Sequence, residues 1–131
     1  MLYTSYIGNL RNIPDNENTI YIFVTRWKPK INTNKFVSKT FWRPNLGPSE
    51  TLLTRWKSGN MNWIEYRKTF LEEGETNPLF KGGLAEVLTY LNDKKDIYLL
   101  CYEKEDINCH RSILREYFLY NNIKCEEFKV K

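Results

Sequence analysis

Three cysteines, one histidine and the want of any long apolar run limit what this 131-residue chain can be. A small, odd number of cysteines does not suit a secreted disulfide scaffold, so the expectation is reduced thiols in a soluble, cytoplasmic protein. No apolar stretch approaches the length of a membrane span, and the first residues lack the basic-then-apolar layout of a signal peptide. No C-x₂-C pair is present to found a zinc knuckle, and there is neither a G-x-G-x-x-G fingerprint nor a Walker loop. Any nucleotide site is therefore of a non-standard kind. No segment repeats, and no cofactor or metal is expected.

What is present suffices for one domain spanning residues 1–131, which buries roughly two-thirds of its unfolded surface. Hydrophobic residues make up 41% of the chain and aromatics 15%, so rings are left over for a binding surface. The net charge of +4 is mildly basic. Lysines and arginines are scattered, apart from short groups such as Arg26-Trp-Lys-Pro-Lys30, which fits an anion preference better than duplex binding.

Residues 1–7 alternate enough for a first strand. Thr19-Ile-Tyr-Ile-Phe-Val24 is a near-continuous β-branched and aromatic run, the pattern of a strand buried on both faces. A polar loop is expected from Thr25 to about Pro48, carrying Lys28, Lys30, Lys35, Lys39, Phe41, Trp42 and Arg43. Ser49 can cap a helix running to Lys57, and Asn62 can cap another that Gly74 closes. Asn77-Pro78 can open a third, with Leu84, Val87, Leu88 and Leu91 as its apolar stripe. A strand over 96–102, a helix from His110 to Tyr120 and an alternating strand over 123–130 complete the chain. This pattern predicts an α/β domain with a mostly parallel or mixed sheet of about four strands flanked by helices.

Most of the reactive side chains lie in Cys101-Tyr-Glu-Lys-Glu-Asp-Ile-Asn-Cys-His-Arg111, between the third expected strand and the last helix. A strand, a polar loop and a helix start together offer a ligand backbone N–H groups and the positive end of a helix dipole. Cys109 at that helix start, with Arg111 near, is placed for a lowered thiol pKa. Neighbours at a helix start commonly point apart, so Cys101 is the better expected partner of His110 than Cys109 is. Cysteine phosphatases need a cysteine and an arginine a few residues apart. Here nine residues separate Cys101 from Arg111 and one separates Cys109 from it. A zinc set could be written from Cys101, Cys109, His110 and either Cys125 or Glu103, and its expected role is structural.

Three segments resemble the family called domain of unknown function 488. They are Val24-Thr-Arg-Trp-Lys-Pro29; Pro44-Asn-Leu-Gly-Pro-Ser49, with Trp56-Lys-Ser-Gly59 and Trp63-Ile-Glu-Tyr66; and Leu100-Cys-Tyr-Glu103 with Cys109-His-Arg111. Their order covers about residues 20 to 118. The resemblance implies a single α/β domain in which these segments converge at the strand ends, and it carries no established reaction.

The leading expectation is a binder of a small anionic, nucleotide-derived ligand in a strand-end cleft, acting as a sensor or sequestering protein. Arg26 and Arg111 would hold the anion, with Ser112 beside them at the helix start. Glu103 and His110 would take polar groups, and Trp27, Trp42 and Tyr66 would form apolar walls. The alternative is an enzyme on a nucleotide or nucleobase-like molecule, using Cys101 or Cys109 with His110 and Glu103. A third reading makes the basic loop from Lys28 to Arg43 a nucleic-acid contact. No membrane partner is expected.

Overall fold

The computed structural model describes residues 1–30 and 39–129. Its five strands are β1 (Leu2–Tyr6), β2 (Thr19–Phe23), β3 (Thr40–Trp42), β4 (Asp96–Cys101) and β5 (Cys125–Glu127). They form one all-parallel sheet in the order β3-β2-β4-β1-β5. Its four α-helices are α1 (Glu50–Lys57), α2 (Trp63–Thr76), α3 (Pro78–Asn92) and α4 (His110–Tyr120). The α/β reading and its flanking helices stand. The fifth strand, β3, falls within the expected loop. Its three residues owe their extended form to pairing with Tyr21 to Phe23, which no local pattern announces.

Capping chemistry sets the helix starts. The side chains of Ser49, Asn62 and Asn77 accept from the backbone N–H groups of Leu52, Glu65 and Leu79, and Pro78 stands where a missing N–H costs nothing. Gly74 does not close α2, which continues to Thr76. Its missing side chain instead admits the Phe80 ring, which an added Cβ would meet at 2.8 Å.

Alternation along the strands sends side chains to two unlike faces. Ile97, Leu99 and Cys101 of β4 join Leu2 and Ile22 in a core with residues of all four helices. Tyr98 and Leu100 face the other way, with Tyr21 and Phe23, under a 3-10 segment at Ile7–Asn12. Cys101 thus lies on the helical side at the carboxyl end of the central strand. From neighbouring β2 and β4 the chain leaves in opposite directions, to β3 on one side and to β5 on the other. That divergence opens a crevice above their ends, where open α/β sheets receive ligands. Lys35 and Val130, each part of an expected element, lie outside the described residues. Among those described, no helix is long and apolar enough to cross a membrane.

Leu99 is fully buried in the centre of this core. Leu99→Ala is expected to cost about 2–5 kcal/mol in urea unfolding, whereas Leu88→Ala, at a 39%-exposed position, should cost less than about 1 kcal/mol.

Candidate active site

The crevice contains a cavity of about 60 Å³ lined by Thr25, Arg26 and Trp27 after β2, by Pro48, Leu53, Trp56 and Lys57, by Tyr66, and by Tyr102, Glu103, Asn108, Cys109 and His110. Six expected site residues therefore meet in one place: Arg26, Trp27, Tyr66, Glu103, Cys109 and His110. A second cavity of about 290 Å³ adjoins it and shares Arg26.

At its floor, Cys109 is the N-cap residue of α4, in extended backbone (φ −118°, ψ 138°). This conformation brings neighbours together that were expected to point apart. The sulfurs of Cys101 and Cys109 and a ring nitrogen of His110 all lie within 4.8 Å of one another. Cys101 Sγ is 3.4 Å from His110 Nε2, and Cys109 Sγ is 3.4 Å from Glu103 Oε2. His110 Nε2–H donates to the Val24 carbonyl at 2.6 Å, which fixes the ring, and Nδ1 lies 4.0 Å from Cys101 Sγ. Gly47 protects that bond, because a Cβ there would sit 2.6 Å from the same carbonyl oxygen. The Phe70 ring packs against the imidazole at 5.8 Å.

These contacts pull the two thiols apart in acidity. Burial pushes Cys101 up, so it stays a thiol. Cys109 is lowered, first by its contact with Cys101 and then, against burial, by His110 and the Arg111 backbone N–H. Burial acts to lower His110, but the Cys109 sulfur outweighs it and raises the imidazole. Burial, then the Cys109 charge, raise Glu103. The three directions agree: Cys109 is biased toward the thiolate, His110 toward the imidazolium and Glu103 toward the protonated acid.

Arg111 has a different place from the one expected. It is fully buried, and each of its five N–H groups has an acceptor. Nε and Nη2 fork onto the Glu127 carboxylate at 3.1 and 3.0 Å, Nη2 also donates to the Lys104 carbonyl, and Nη1 donates to the Glu103 carbonyl and to Cys109 Sγ at 3.6 Å. No donor is left to grip a ligand anion, so Arg111 holds the loop and charges the thiolate instead. Ser112 turns back to the Cys109 carbonyl at 2.7 Å. Trp42 donates its indole N–H to the Thr25 carbonyl and packs on the opposite face of the sheet. Cys101 lies beneath the cavity lining.

The cavity also has Trp56, Lys57, Leu53, Tyr102 and Asn108, which the sequence reading did not assign. Leu53, Trp56 and Lys57 are spaced i, i+3, i+4, so they share one helix face, a signal available without the structure. The basic loop is partly spent, because Lys39 pairs with Asp15 and Arg43 forks onto Glu86.

Among the described residues, Cys101, Cys109 and His110 are the set that could hold a metal ion. Cys125 cannot join them, since it is level with Leu2, whereas Cys101 is level with Tyr6, four residues further along the sheet.

The chain belongs to the domain of unknown function 488 family, in the active DUF488-N3 subclade (DUF488-N3a), whose model matches residues 5–122. No curated protein and no solved structure matches it.

Removing the buried guanidinium leaves Glu127 Oε2 and the Glu103 and Lys104 carbonyls without their donors, while Arg115 and Thr4 still reach Glu127 Oε1. Arg111→Leu is expected to destabilise the fold by about 3–5 kcal/mol in chemical denaturation. Arg67→Leu, which breaks the exposed pair with Glu116, should cost less than about 1 kcal/mol.

Proposed function

We propose that this chain is an enzyme that uses Cys109 as a nucleophile on a small, planar, anionic molecule of nucleotide-derived chemistry. The observation that carries the reading is the saturated Arg111. An anion-binding sensor was to grip its ligand with Arg26 and Arg111, and the second of these has no free donor. The groups that do face the cavity are a low-pKa thiol, an imidazole and a carboxyl, which are reaction chemistry.

Each residue then has one task. The Cys109 sulfur pair forms a bond to an electrophilic carbon of the ligand, and that carbon's bond to its leaving group breaks. The leaving group departs with the electron pair and takes the proton from Glu103, whose raised pKa suits it to donate. Water, deprotonated by the Glu103 carboxylate, then displaces the sulfur and restores both residues. His110 stabilises the thiolate through its charge and is held by the Val24 carbonyl. Trp27, Trp56, Tyr66 and Tyr102 give a planar ligand stacking surfaces, and Arg26 and Lys57 supply positive charge at the rim. The second cavity, reached past Arg26, has room for a sugar or phosphate portion. Cys101, Cys109 and Cys125 are free thiols, which accords with a reducing, cytoplasmic setting.

The test is native mass spectrometry of the reduced protein with a panel of nucleotides, nucleosides and nucleobases, reading the masses of protein and ligand. A panel member should be returned with altered mass. Cys109→Ser should slow that conversion at least about a thousandfold while the ligand still binds. A ligand retained unchanged by both proteins would support the sensor instead.

A further inference from the structure

We propose that Cys101 and Cys109 form a peroxide-sensitive pair, in which Cys109 is oxidised first and Cys101 then closes a reversible disulfide across the floor of the cleft. The inference rests on the reading of Cys109 as the reacting sulfur of the cleft and adds a second reaction at that sulfur.

Position decides the order of events. Cys109 lines the cavity, whose 60 Å³ admits a molecule the size of hydrogen peroxide, whereas Cys101 is fully buried behind it. The two sulfurs already lie within 4.8 Å and need only close to the roughly 2 Å of a disulfide bond. One sulfur is fixed at the end of a central strand. The other follows seven residues of mostly exposed loop, 102–108, anchored at Glu103, Lys104 and Asp106, so the closure falls to side-chain rotation and a small shift at Cys109. Cys125 does not compete, being four residues away along the sheet register.

The chemistry balances with peroxide as the oxidant. The Cys109 thiolate attacks one peroxide oxygen, the O–O bond breaks, and the released hydroxide takes a proton to become water, leaving a sulfenic acid. The Cys101 sulfur then attacks the Cys109 sulfur and the S–O bond breaks. The Cys101 proton leaves with the sulfenic oxygen as a second water. Both cysteines are oxidised by one electron each, and one peroxide is reduced to two waters. A dithiol reductant reverses the bond by exchange. The disulfide removes the nucleophile, so peroxide would switch off the proposed enzyme without destroying it.

The sequence makes the test direct. Trypsin cuts after Lys95, Lys104 and Arg111, so Cys101 and Cys109 fall on separate peptides, 96–104 and 105–111. Reduced full-length protein, first stripped of metal by a chelator, is treated with equimolar hydrogen peroxide and mapped without reductant. Peptides 96–104 and 105–111 should appear joined, and dithiothreitol should separate them. In Cys101→Ala, shown to be folded by circular dichroism, Cys109 should instead stop at sulfenic acid, trapped by dimedone, and a second equivalent of peroxide should carry it to sulfinic acid. Wild-type protein in which Cys109 reaches sulfinic acid unlinked, or links to peptide 125–129, would overturn the proposal, whether or not the variant folds. Iodoacetamide labelling of untreated protein separates the two readings. Fast labelling of Cys109 without the linkage defeats only the disulfide, whereas absence of labelling defeats the nucleophile reading as well.

Discussion

A guanidinium with no access to water shapes this site. Burying a charge is costly unless it is paired and hydrogen-bonded, and Arg111 meets that demand with a carboxylate fork, two carbonyls and a sulfur. The acceptors come from the loop after β4, from the start of α4 and from β5. One side chain therefore ties the edge strand to the loop and sets Cys109 in place. Arg115 repeats the device one turn on, donating to Thr4 of β1, Glu127 of β5 and Asp106 of the loop. The loop that carries Glu103 and leads to Cys109 is anchored at several points, although most of its residues are exposed.

The aromatic residues complete the enclosure from the helical side. Trp56, Trp63, Tyr66, Phe70 and the His110 ring follow one another at centroid distances of 5.2 to 6.4 Å. This chain of rings runs from the cavity wall to the imidazole. It buries the far side of His110, so the ring's charge acts beside the thiols in a low-dielectric setting. Rigid packing at a reacting group is what a site needs if charge is to be stabilised without reorganisation.

Much of this was legible in the chain, and the losses have physical causes. The caps at Ser49, Asn62 and Asn77 and the apolar runs at 19–24 and 97–100 mark their elements because local chemistry dictates them. β3 was not legible, since a three-residue strand exists only through its neighbour. The fate of Arg111 was hidden for the same reason. Its carboxylate partner, Glu127, lies sixteen residues on in an edge strand, whereas Glu103 and Asp106 were nearer in sequence. Glu103 does meet Arg111, but through its backbone carbonyl, leaving the carboxyl to Cys109. The convergence of Cys109 with His110 depended on one backbone conformation at the N-cap, which residue spacing does not specify.

The central claim is that this setting makes Cys109 a thiolate, and the pH dependence of its alkylation tests that most directly. Because the folded protein lowers the Cys109 pKa, the reactive form persists as pH falls from mildly alkaline through neutral. The rate of iodoacetamide capture at Cys109, read by peptide mapping of folded protein, should therefore stay nearly level across that range. An ordinary thiol, with a pKa of about 8.5, loses about tenfold in rate per unit of pH below it. A Cys109 profile that falls in that ordinary way would contradict the account.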